Sequence, residues 1–201
     1  ETHAVLQTDE TLFDNLQTLA LGCRGFLPYT QGTYGLIIDK SADSVFDFTS
    51  HHLIGGIAIK GESKEDKFNR VNVKFANPKT NYEPDTATWP DPASDEEAAF
   101  LKDDNGTLLV KNIELETITK AYAARDMARV ICLRSRSALR CSIRSTSEAL
   151  KLAVADVVTV THATPGWSKK PFQIEEITLN YDGTCSLSLL EYDPTIYTYD
   201  P

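Results

Sequence analysis

An α+β fold, mostly antiparallel β with barrel-like sheets and two main helices, is the class that this 201-residue sequence predicts. Three observations point there. Apolar and polar residues alternate with period two in segments such as 71–75 and 139–144. Two other segments, 9–23 and 117–136, carry apolar residues at helical spacing. Turn signals at Asn105-Gly106 and Asn180-Tyr-Asp-Gly183 separate the alternating runs at hairpin distances.

The elements follow in order. Leu12, Phe13, Leu16, Leu19, Ala20 and Cys23 form one stripe of an amphipathic helix, with Thr8 or Asp9 as N-cap. Arg24 to Pro28 and Tyr34 to Ile38 read as a hairpin turning near Gln31-Gly32. Leu53-Ile-Gly-Gly-Ile-Ala-Ile59 reads as a strand bent at its glycine pair. It is expected to pair with Val71, Val73 and Phe75 across the polar connection Lys64 to Lys67. Residues 77–93, with four prolines among acids, read as a long functional loop or an excursion onto a partner. Asn105-Gly106-Thr107 fits a glycosylation acceptor, a match common by chance, and is read as a turn into a strand at 108–110.

Ile118, Ala121, Tyr122, Ala128, Ile131 and Cys132 mark a second helix, capped by Thr117 or Thr119. Strands at 139–144, 157–162, 172–177 and 185–192 close the chain. The first of these is apolar on one face and basic on the other. Two regions are expected: 1–60, with the helix and hairpin, and 61–201, rich in β-structure with one long helix, or the two as one intertwined unit.

Composition narrows the class. At 41% hydrophobic and 24% charged the chain is an ordinary soluble globular one, with no apolar run long enough to span a membrane. It opens on Glu1 without the marks of a signal peptide, which suits a fragment of a longer chain. Cys23, Cys132, Cys141 and Cys185 lie far apart, outside any zinc-binding spacing. Three have apolar neighbours (Leu21, Ile131, Leu187), so reduced structural thiols are expected.

The net charge of −9 argues against tight nucleic-acid binding. It is unevenly spread: residues 83–104 hold eight acids and one base, and residues 120–151 eight bases and two acids. The series Arg125, Arg129, Arg134, Arg136, Arg140 and Arg144 offers forked donors for phosphate, or ion-pair partners for the acidic stretch in the same or a neighbouring subunit.

Signatures of catalysis are missing: there is no G-x-S-x-G, P-loop or H-E-x-x-H. His51 and His52, as neighbours on a strand, point to opposite faces and do not share a metal; His162 has no Ser or Cys beside it to activate. Glu96-Glu97 and Glu175-Glu176 are the acid pairs a glycosidase could use, if folding set them at the required separation. No catalytic residue, cofactor or metal is assigned, and the chain is read as a non-enzyme.

The order of several segments resembles a known family. They are Phe68-Asn-Arg-Val-Asn-Val-Lys-Phe-Ala-Asn-Pro78, the acidic Pro-rich loop, the helix ending in Arg-Ser-Arg136, Asp156-Val-Val-Thr-Val-Thr-His162, Gly166-Trp167, Pro171-Phe-Gln-Ile174, Asp182-Gly-Thr184 and Leu190-Glu-Tyr-Asp-Pro194. Together they resemble the hub region of the central tail-tip protein of lambda-like phages, similar in its core to the baseplate hub of contractile tails. The resemblance covers most of the chain and lies in the order and spacing of the segments.

It implies a structural virion protein whose barrel-like hub domains form a homotrimeric ring. The ring closes the distal end of the tail tube, joins host-recognition parts and serves genome ejection. Neighbouring tail proteins are then partners, the virion the location and the bacterial cytoplasm the place of assembly. Arg140, Arg144, Trp167 and Trp89 become subunit-interface candidates. One departure is Val154-Ala-Asp156, where the family commonly has Pro-Gly-Asp; alanine resists the positive φ that glycine accepts. The alternative function is a carbohydrate-binding or cell-wall-degrading tail module using Trp167 or Trp89 as a sugar platform, with host glycan as ligand. A generic β-rich adhesin domain is a third.

Overall fold

A computed structural model describes residues 8–9, 11–30, 32–61, 67–137 and 139–198. The chain forms two compact units that interleave along the sequence. One holds residues up to 39 and 65–136, the other 40–64 and 137–198. The fold is α+β with mostly antiparallel pairing, as the alternation predicts.

In the first unit, helix α1 (Leu12–Leu21) starts later than expected, because Thr11 rather than Thr8 or Asp9 caps it by accepting from the Asp14 amide at 3.2 Å. The chain then makes the expected hairpin. Strand β1 (Gly25–Phe26) pairs with β4 (Ile37–Ile38), and β2 (Tyr29–Thr30) with β3 (Thr33–Tyr34); Gln31, in the predicted turn, lies outside the described residues. Gly25 is buried against Leu36, whose Cδ1 lies 2.8 Å from where a Cβ would stand.

The core of this unit is a three-stranded sheet covered by a helix. Strand β7 (Arg70–Asn77) lies between β8 (Glu83–Trp89), antiparallel, and β9 (Val110–Glu114), parallel. Its alternation buries Val71, Val73 and Phe75 against Ala124, Met127, Ala128 and Cys132 of helix α3 (Ala121–Arg136). That helix begins beyond both threonines expected to cap it, with the Lys120 carbonyl accepting from the Ala124 amide at 3.1 Å.

Much of the expected long loop at 77–93 is therefore β8. Its first four residues are exposed, so they carry no buried alternation, and Pro84 is tolerated because β8 is an edge strand. Helix α2 (Asp95–Asp103) was not anticipated. Ser94 caps it, accepting from the Glu97 amide at 3.2 Å. The turn at Asn105-Gly106 follows, both residues having positive φ.

The second unit is one six-stranded sheet. Strand β5 (Phe46–Phe48) runs parallel to β11 (Val157–His162), followed across the sheet by β12 (Trp167–Leu179), β13 (Cys185–Glu191), β10 (Leu139–Ser145) and β6 (Ala58–Gly61). Among the described residues β5 and β6 do not pair with each other, so the sheet is open rather than a closed barrel. Cys141, Ile143, Val158, Val160, Phe172, Ile174, Leu187 and Leu189 form its core with Phe48.

The expected pairing of 53–59 with 71–75 does not occur. Gly55, at φ 82, breaks the first segment, leaving β6, which pairs with β10. Leu53 contributes only an isolated bridge to Ser145. The connection 62–66 lies outside the described residues. Ala155 adopts φ 73, so it takes up the left-handed turn that glycine favours.

Candidate functional site

The acidic and basic stretches meet inside the first unit. The Asp104 carboxylate, 6% exposed, accepts from Arg136 Nη1 at 2.7 Å, Lys67 Nζ at 3.0 Å and Asn69 Nδ2 at 3.0 Å. Burial alone would push its pKa up, but these donors outweigh that cost and hold it at about 2. Asn69 is fully buried and satisfied: it also donates to the Thr107 carbonyl and accepts from the Leu109 amide, each at 2.7 Å.

Arg136 stacks on the Phe100 ring at 4.2 Å, and Arg125 pairs with Asp91 at 2.5 Å. Buried Glu97 accepts from the Ala93 amide and from Arg70, and these bonds lower its pKa. Much of the charge asymmetry is thus internal, joining acids of 83–104 to Arg125 and Arg136 of the same chain. Glu83, Asp95 and Glu96 stay exposed and make no ion pair among the described residues.

On the outer face of the second unit's sheet, Arg140 and Arg144 stand half-exposed on β10, while Cys141 and Ile143 between them point into the core. Arg140 reaches Glu175 of β12 at 3.4 Å. Arg144 pairs with Asp182 in the β12–β13 turn and donates to Thr184 Oγ1 at 3.0 Å. Asp182 is bound chiefly by Thr184, through its hydroxyl and amide, which lowers its pKa. Sequence reading missed these partners because Glu175 lies 35 positions downstream of Arg140 and Asp182 38 positions downstream of Arg144.

Both tryptophans pack within their own units. Trp167 is the first residue of β12, paired with His162 beside a tight turn at Gly166, rather than a residue of the connection itself. Its half-buried ring lies 5.1 Å from Phe172, with the Lys170 ammonium 5.9 Å from its centre. A shallow cavity of about 380 Å³ opens beside it, lined by Thr49, Ser50, Thr161 and His162. The Thr161 hydroxyl there is already engaged, donating to Asp47 and accepting from the Lys169 amide. Trp89 ends β8 and packs on Phe100 at 5.8 Å, against the first unit's core.

Several of the remaining candidates hold structural bonds. His52 Nδ1 faces the Thr49 amide and hydroxyl, and its Nε2 lies 3.4 Å from Glu148. His162 Nδ1 accepts from the Thr164 amide. Among the described residues no three His, Cys, Asp or Glu side chains converge as a metal-ligand group. In the acid pairs, Glu97 is bound to Arg70, Glu175 to Arg140, and Glu176 accepts from Thr178. All four cysteines are free thiols. Burial pushes Cys132 up to about 12 and Cys141 to about 11, and raises Cys185; Cys23 is exposed despite its apolar neighbours.

Comparisons with known proteins point to phage tails. A family model described as "Putative phage tail protein" matches residues 14–177. Over 197 residues the chain is 21% identical to the baseplate hub protein pb3 of Escherichia phage T5, covering 98% of this chain and 20% of that protein. Its fold is similar to a chain in the virion of a native gene transfer agent particle, with a TM-score of 0.73 and 15% identity over 96% of this chain and 42% of the other. It is also similar to the 43 kDa tail protein of prophage MuSo2 from Shewanella oneidensis, with a TM-score of 0.57 and 17% identity over 96% of this chain and 54% of the other. The chain spans a fifth of the length of that curated relative. With one family model matching most of its length, the chain belongs to the phage tail protein family.

Proposed function

We propose that this chain is the hub segment of a tail-tip or baseplate protein, assembling with two further copies into a ring that closes the distal end of the tail tube. The observation that carries the reading is family membership, with similarity to a baseplate hub protein along nearly the whole chain. The role is mechanical and non-enzymatic: Glu97 and Glu175 are committed to ion pairs, and His52 and His162 to local turns. Neighbouring tail proteins are the further partners, and assembly takes place in the host cytoplasm before the virion is released.

Charge supports a head-to-tail ring. In a cyclic trimer each interface joins two different surfaces. The exposed acids Glu83, Asp95 and Glu96 of one subunit meet the Arg140 and Arg144 face of the next, which fixes register more than it adds affinity. Trp167 and Trp89 serve that interface through the sheets they brace. The net charge of −9 keeps passing DNA from adhering.

The test is mass by light scattering together with electron micrographs. Threefold rings are expected at low salt, weakened by Arg140→Glu with Arg144→Glu and restored by Glu83→Lys with Glu96→Lys. A monomer at every salt concentration and protein concentration tested would sink the reading.

A further inference from the structure

Helix α1 and the hairpin after it make a small layer of their own within the first unit. Ala20 is buried and Leu19 half-buried at the C-terminal end of the predicted stripe, where Leu36 and Cys23 close over Gly25. The N-terminal end of the same stripe is left uncovered. Leu12 is 77% exposed, and Phe13 and Leu16 are exposed beside it. Phe13 continues onto the hairpin through Tyr34, 5.4 Å away, and Tyr34 onto Tyr29 at 4.8 Å. Tyr34 and Leu36 are themselves 62% and 57% exposed.

The size and chemistry of this face say what it fits. The six exposed residues Leu12, Phe13, Leu16, Tyr29, Tyr34 and Leu36 present on the order of 700 Å² of surface, close to the roughly 800 Å² that each partner gives a standard interface. An exposed apolar patch of this size on a monomer marks a contact site. It is also nearly uncharged. Residues 12–38 hold only two charged side chains, Asp14 and Arg24. Arg24 is neutralised by Asp126 at 3.0 Å, and the Asp14 carboxylate accepts from the Thr11 hydroxyl at 2.5 Å. Aromatic residues without free charge are the composition of an interface core.

Two copies of a chain of net charge −9 repel one another over most of their surface. The α1–hairpin face, with few charged side chains and Arg24 neutralised, lets two copies meet with little like charge in the contact. We propose that a second copy of this chain seats on the α1–hairpin face, which forms the apolar core of a subunit contact. The inference rests on the ring reading and adds to it an apolar contact surface. A cleft of about 300 Å³ beside Cys23 lies within the same unit, lined by Ile118, Tyr122 and Met127 and by the Arg24–Asp126 ion pair.

The test compares the wild-type chain with Leu12→Glu plus Leu16→Glu, and with Tyr34→Ser, by sedimentation velocity across protein concentration. The wild type is expected to associate, and each variant to raise the dissociation constant roughly 100-fold, the loss typical of central apolar anchors. Salt is expected to leave that loss unchanged, and circular dichroism melts of the Leu12→Glu plus Leu16→Glu protein to stay near the wild-type temperature at concentrations where the wild type is monomeric. Hydrogen exchange supplies a readout without mutation: protection over residues 12–38 should rise with concentration. Variants that assemble as the wild type does, or protection that ignores concentration, overturn the inference. Threefold rings that survive the variants overturn the face and leave the hub reading standing. A concentration-dependent dimer abolished by the variants keeps the face and removes the ring.

Discussion

The Asp104 carboxylate sits 2.7 Å from Nη1 of Arg136, joining the residue after helix α2 to the last residue of helix α3. With Lys67 and Asn69 on the same carboxylate, the pair fastens both helices to the start of strand β7. Both side chains are nearly buried, so neither charge has water as an alternative partner.

Replacing Asp104 with Asn should therefore cost about 3 kcal/mol, because Lys67 loses its anion and Arg136 keeps only the exposed Asp103 at 3.4 Å. Urea unfolding at pH 7 measures it. The pH dependence has a definite sign: a carboxylate lowered from 3.8 to about 2 stabilises the fold above pH 4 and loses that contribution as pH falls towards 2. That contribution is about 2 kcal/mol. The difference between wild type and Asp104→Asn should narrow over that interval. A constant difference from pH 5 to pH 2 contradicts the assignment.

Ala155 holds φ 73 at the turn before β11, a conformation that strains any residue with a Cβ. Ala155→Gly should raise stability by about 0.5 kcal/mol, the relief of about 1–2 kcal/mol being offset partly by the greater freedom of glycine in the unfolded chain. A bulkier Ala155→Val should lower it. Thermal melts of the three proteins should rank Gly, Ala, Val from most to least stable; the reverse order would mean that the turn is not left-handed in solution.

Trp167 should act as a brace. Trp167→Ala should cost about 2 kcal/mol, since the ring is half-buried against Phe172, and Trp167→Phe should recover most of it. Glycan arrays and peptidoglycan fragments should give no signal with the wild type. Glycan binding that disappears in a folded Trp167→Ala protein would restore the sugar-platform alternative.

The thiols should divide cleanly. Cys23 is exposed and should react with Ellman's reagent at once in dilute native protein. Cys132, Cys141 and Cys185 are buried with raised pKa values and should react only after denaturation. Fast reaction of more than one thiol in the native state would show that a core is open.

The elements legible in the sequence are those with one buried face. Val71, Val73 and Phe75, or Cys141 and Ile143, carry their burial as a period that any local reading detects. The outer half of β8 has no buried face and carries acids and Pro84, so the same reading returns a loop. Helix α2 did have a signal, since Ser94 followed three residues later by Glu97 is a capping pattern. The acids around it concealed it.

The sequence by itself determined the α+β class, the alternating faces, the family resemblance and the uneven spread of charge. Only the tertiary structure decided which strands pair, including the parallel neighbours β7–β9 and β5–β11, and which arginine meets which acid. The reason is physical. Period and capping are properties of a few neighbouring residues, whereas pairing and neutralisation join residues tens of positions apart. Tertiary packing also left the stripe of α1 half covered. Its apolar spacing was plain in the sequence, but its N-terminal end finds too little cover within its own unit.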